Sequence, residues 1–144
     1  GQERGLRPGT LPVHLVVGLG EAARLAALDH VKRRERNTAF RDRLLRGLAP
    51  LDPIINGDAE RSLTHVVNLS IPGLDSEAMM LALKEQVAIS NGSACTSHSY
   101  VPSHVLTAMG LDEERIAGAT RWSWCHLTEE PDWDAIVAAI RHLR

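Results

Sequence analysis

Two cysteines, Cys95 and Cys125, are all that the 144 residues contain, and they form no C-x-x-C pair. Their scarcity argues against a disulfide scaffold and against a structural zinc site, and makes a reducing cytoplasm the expected compartment. No apolar run reaches the ~18 residues that a membrane span needs, and no secretory leader is read at the start. An excess of either charge is also lacking. Sixteen Lys+Arg against eighteen Asp+Glu leave a formal net charge of −2, which gives no broad electrostatic reason to bind nucleic acid or an anionic membrane directly. The basic stretch Lys32-Arg33-Arg34-Glu35-Arg36, with Arg41, Arg43 and Arg46 beyond it, is interrupted by acids and reads as a solvated helix face. Lysine is confined to Lys32 and Lys84, and there is no internal repeat or low-complexity tract.

What is present is enough for one domain with one core. Gly1 to Thr10 is loop-like, begins without Met and reads as the middle of a longer chain. Thr10 and Pro12 make a helix start, with the Thr10 hydroxyl as candidate N-cap. From Val13 to about Leu48 the residues Leu15, Leu19, Ala22, Ala26, Phe40, Leu44, Leu45 and Leu48 recur at helical spacing, as one long helix or two in succession, bent near Gly18 and Gly20. Pro50 and Pro53 close it. Ile54-Ile55 and then His65–Ile71 read as strands. A helix follows, capped by Asp75 or Ser76 and running to about Gln86 with Met79, Met80 and Leu83 inward. Val87–Ser90 is a further short strand, Pro102–Met109 a helix stopped by Gly110, Ala119–Cys125 a strand with Trp122 and Trp124 on one face, and Asp132–Leu143 an amphipathic helix. The expected class is α+β, a short and largely antiparallel sheet covered by helices and preceded by a long helix.

Cys95 stands in Asn91-Gly92-Ser93-Ala94-Cys95-Thr96-Ser97-His98-Ser99, a small-residue stretch after the apolar Val87-Ala88-Ile89. A thiol there reads either as a nucleophile on a loop or as a small residue filling a turn. His98 and His104 are near enough in sequence to act as acid-base partners. A Cys-His-Asn arrangement would need a distant base such as His126 or His14, and nothing singles one out. Arg121, in the otherwise small or aromatic strand Ala119-Thr120-Arg121-Trp122-Ser123-Trp124, must have a partner if it is buried. The partner is either an internal carboxylate or the carboxylate of a substrate, which suits the planar guanidinium fork. Arg7-Pro8-Gly9-Thr10 at a helix start is either a plain cap or a phosphate contact. No set of residues has metal-ligand spacing.

Three segments in order and register, residues 1–12, Asn91 to Ser97 and Thr120-Arg121-Trp122-Ser123, resemble the C-terminal part of the class I cysteine desulfurases. The resemblance implies the small C-terminal domain of a pyridoxal-phosphate enzyme of aminotransferase fold type I, with residues 1–12 as a cofactor-contacting loop, 13–48 as the long helix and 54–144 as the α+β part carrying the thiol loop. It implies that Cys95 takes sulfur from L-cysteine as a persulfide and releases L-alanine, that Arg121 holds the substrate carboxylate, and that Thr10 reaches the cofactor phosphate of the neighbouring subunit in a homodimer. Sulfur would then pass to an acceptor protein. Tyr100, the run Trp122 to His126 and Pro131-Asp132-Trp133 resemble most the branch that supplies DNA phosphorothioation, although iron–sulfur and thio-cofactor pathways share the main motifs. Pro8 and Asn91 stand where the family often has Ser, and Trp124-Cys125 where it has Leu-Gly. The family's cofactor lysine sits in a Ser-x-His-Lys setting that neither Lys32 nor Lys84 has, so this chain alone is expected to be inactive. A selenocysteine lyase and a non-catalytic sulfur carrier are the alternatives.

Overall fold

Leu44 and Leu48 lie one helical turn apart and are fully buried, and with Phe40 they form the stripe on which the later elements assemble. The computed structural model describes residues 2–91 and 102–143, in two units, Gly1–Arg33 and Arg34–Arg144.

The first unit opens with a 3-10 turn, Gln2–Gly5, in which Glu3 and Arg4 hold positive φ, and continues into helix α1, Val13–Leu48. The helix passes Gly18 and Gly20 unbroken, so the choice between one helix and two falls to one. The expected helical spacing is present here but not burial: Leu15 is 63% and Leu19 72% exposed. An ion pair between Arg24 and Glu21, 2.6 Å apart, decorates this stretch.

In the second unit α1 ends at Leu48 and a 3-10 turn, Ala49–Leu51, contains Pro50. Strands β1 (Ile54–Ile55), β2 (Val66–Ser70) and β3 (Ala119–Ser123) form an antiparallel sheet in that order. Val67, Leu69, Thr120 and Trp122 project from one face into the core. Helix α2 (Ser76–Leu83) starts because the Asp75 carboxylate accepts from the amides of Glu77 and Ala78. It buries Met79 and Leu83, whereas Met80 is only half-buried, contrary to expectation. Helix α5 (Trp133–Arg141), capped by Asp132, buries Ile136, Val137 and Ile140 and packs on α2. Each such large side chain contributes about 1.5–3 kcal/mol of apolar burial.

Aromatic side chains lock α1 to the sheet. Phe40 stacks on Trp124 at 5.3 Å and meets Trp133 edge-on at 6.0 Å, and Trp124 Nε1 donates to Asn37 O at 3.0 Å. Between β2 and β3 lie α3 (His104–Ala108) and α4 (Glu113–Ala117). Helix α4 was not expected, because five residues with no apolar period leave only the Asp112 cap as a signal. The expected strand over 87–90 is reduced to a single bridge at Ser90.

Candidate functional site

The single bridge at Ser90 defines the site. Arg121 N–H donates to Ser90 O at 2.6 Å, and Ser90 N–H donates to Arg121 O at 3.2 Å. Both backbone groups of Arg121 therefore point away from β2. Its register partner on β2 is Asn68, and the Asn68 carbonyl accepts from the Asn56 amide at 2.9 Å. Residues directly opposite one another in an antiparallel sheet project to the same face. Asn56, Asn68, Arg121 and Ser90 thus form one row across the sheet, on the face opposite Trp122 and the core.

Arg121 is exposed, and among the described residues its guanidinium has no ion-pair or hydrogen-bond partner. Of the two readings of Arg121, an internal salt bridge is therefore not the one found among these residues. A guanidinium standing free on a sheet face retains its fork for an incoming planar anion.

From Ser90 the chain passes to Asn91, whose Nδ2 approaches Ser76 Oγ at 3.5 Å. Cys95, His98 and Tyr100 lie outside the described residues. His104 is exposed at the start of α3, His14 is exposed in the first unit, and His126 is half-buried.

Thr10 belongs to the first unit and is exposed. The capping role expected of it is not found. The helix begins three residues later at Val13, and it is Pro12 O that accepts from Val16 N at 3.1 Å. The Thr10 hydroxyl and the exposed Arg7 guanidinium remain a donor set whose chemistry fits a cofactor phosphate. The lysines fit less well as cofactor anchors: Lys32 is exposed on α1, and Lys84 Nζ lies 3.9 Å from Glu85 Oε1.

Two features add to the sequence reading. One is a polar network behind Arg121. Arg115 Nε donates to Asn56 Oδ1 (2.6 Å), and Asn56 Nδ2 donates to Asn68 Oδ1 (2.7 Å) and Ser70 Oγ (2.8 Å). Ser70 Oγ donates in turn to Arg115 O (2.6 Å). The other is Cys125, an exposed thiol whose sulfur accepts from Leu127 N at 3.4 Å and from Thr128 Oγ1 at 3.7 Å. The Leu127 amide first, then the Thr128 hydroxyl, lower its pKa below the ordinary thiol value. Among the described residues no cluster of three or more His, Cys, Asp or Glu could hold a metal ion, and no helix is long and apolar enough to cross a membrane.

Residues 1–136 match the family of class-V aminotransferases. Cysteine desulfurase IscS of Vibrio campbellii is 43% identical over 142 residues, which are 98% of this chain and 35% of that protein. The crystal structure of DndA from Streptomyces lividans superposes with a TM-score of 0.65 at 40% identity, covering 92% of this chain and 36% of the other. A NifS-like protein from Rickettsia africae gives 0.78 at 25% identity, covering 99% and 38%. The chain thus spans about a third of the length of the relatives it matches.

Proposed function

Because the chain belongs to the aminotransferase class-V family, we propose that it is the thiol-bearing portion of a pyridoxal-phosphate-dependent cysteine desulfurase. The observation that carries the reading is Arg121. Its exposed guanidinium has no carboxylate partner among the described residues, and its backbone is bridged to Ser90, five residues before Cys95.

In this reading Arg121 grips the carboxylate of L-cysteine and so fixes the amino acid for attack on its sulfur by Cys95. Bound pyridoxal phosphate supplies an electron sink for the bonds at the substrate's α and β carbons. The Cys95 thiolate attacks the substrate sulfur. An S–S bond forms as the substrate's Cβ–S bond breaks, so the carbon fragment is reduced to L-alanine while Cys95 becomes a persulfide. No external oxidant is required. Thr10 and Arg7 would hold the cofactor phosphate, Thr10 across the interface of a homodimer. The net charge of −2 favours delivery of the sulfur to a cytoplasmic acceptor protein over direct contact with DNA. Likeness to DndA and to IscS supports DNA phosphorothioation and iron–sulfur or thio-cofactor synthesis as the pathways served.

The test is intact mass and peptide mapping of the complete cofactor-loaded enzyme containing this chain after exposure to L-cysteine. One added sulfur on Cys95 is expected, and none in Cys95→Ser, which should still bind cofactor. An unmodified Cys95 in the substrate-treated wild type would refute the assignment. Arg121→Ala should raise KM for L-cysteine by ~10–100-fold, the range for losing a charge-assisted bond.

A further inference from the structure

We propose that Asn68 is a second donor for the substrate carboxylate, oriented by Asn56 and Arg115; this rests on the reading of Arg121 as the carboxylate clamp. The orientation follows from the chemistry of the donors. Arg115 Nε can only donate, so the Asn56 atom facing it at 2.6 Å must be oxygen. The other end of the Asn56 amide is then NH2, and its two hydrogens go to Asn68 and to Ser70. The Asn68 atom accepting at 2.7 Å must therefore also be oxygen. A second anchor, from Arg115 to Ile55 O at 2.8 Å, keeps the guanidinium from swinging away.

Asn68 consequently turns its own NH2 away from Asn56, and among the described residues no acceptor takes it. Arg121 is its cross-strand partner. Since the backbone groups of Arg121 bond to Ser90 rather than to β2, Asn68 and Arg121 are a non-hydrogen-bonded pair, the kind whose side chains lie closer. Two neighbouring groups with only N–H to offer cannot satisfy each other. A carboxylate, with about four acceptor sites on two oxygens, can satisfy both. The half-buried position of Asn68 beside the exposed Arg121 gives the pair a floor and a rim.

The test uses the complete cofactor-loaded enzyme. Asn68→Asp keeps an oxygen for Asn56 but replaces the NH2 with a second acceptor. It should raise KM for L-cysteine roughly 10–100-fold with kcat and resting cofactor absorbance unchanged. Inhibition by cysteamine, which lacks the carboxylate, should not move. Asn56→Asp, remote from substrate, should draw the Asn68 NH2 toward itself and raise KM in the same selective way, which keeps the test open if Asn68→Asp misfolds. An unchanged KM in these variants, alongside a raised KM in Arg121→Ala, overturns the role of Asn68 alone. An unchanged KM in all three overturns the clamp and this inference together.

Discussion

Cys125 shows how a side chain outside the proposed reaction can still have chemistry. Its thiolate is solvated and receives the Leu127 amide and the Thr128 hydroxyl, so its negative charge is stabilised without burial. A depressed folded pKa means that the thiolate persists to lower pH than in an unfolded peptide, and that its small contribution to stability fades as pH falls through the folded value. Alkylation by iodoacetamide, followed at the Cys125 peptide, should show a midpoint below that of the urea-unfolded chain, and Thr128→Val should move it up. Coincident midpoints for folded and unfolded protein would contradict the hydrogen bonding described. Legibility at this scale depended on contrast. Arg121 stood out because a charged residue in a small and aromatic strand demands a partner. Asn56 did not, since asparagine beside a turn is ordinary, nor did Asn68, a polar position in an alternating strand, and the register that aligns them with Arg121 is invisible without the fold.

The end of α1 gives a case in which two element-level rules point in opposite directions. Replacing an exposed helical glycine with alanine ordinarily stabilises by about 0.5–1 kcal/mol, through lower unfolded-state entropy and better helix propensity. At Gly47 a Cβ would sit 2.6 Å from Cγ of Trp133, on a ring that also meets Phe40 and donates to Glu130 at 2.8 Å. An overpacked aromatic cluster costs about 1–3 kcal/mol, so packing should win. Gly47→Ala is expected to lower the urea midpoint, whereas the same change at Gly18, where nothing lies within 4 Å, should raise it or leave it unchanged. A rise at Gly47 would mean that the α1–Trp133 approach is looser than described. The elements readable from sequence, α1, β2, α2 and α5, carry a long periodic pattern or a capping aspartate before an apolar run. The ones misread are short. Helix α4 has no buried residue of its own, and the 87–90 stretch keeps only one bonded pair, so neither leaves a period to find.

At the scale of the whole molecule, the α+β class, the antiparallel sheet and the long helix were all legible, because they follow from apolar spacing and turn residues that one chain carries by itself. Burial along α1 was not. The spacing at Leu15 and Leu19 matches that at Leu44 and Leu48, yet only the latter pair is buried, and spacing cannot say what a face will meet. Cofactor chemistry raises the same issue of what one chain can supply. Holding pyridoxal phosphate for turnover takes a lysine amine that is desolvated or beside a cation, so that it is neutral enough to react. Lys32 and Lys84 are both exposed, so neither is desolvated, and the charged group 3.9 Å from Lys84 Nζ is a glutamate rather than a cation. The 144-residue chain, incubated with pyridoxal phosphate and L-cysteine, should therefore release no alanine above the free-cofactor control. Borohydride reduction followed by peptide mapping should leave neither lysine stoichiometrically labelled. Stoichiometric pyridoxyl on Lys84 together with alanine release would show that this chain holds a complete site, and the proposal that its portion of the enzyme supplies the thiol, the carboxylate clamp and a phosphate contact would have to be redrawn around that lysine.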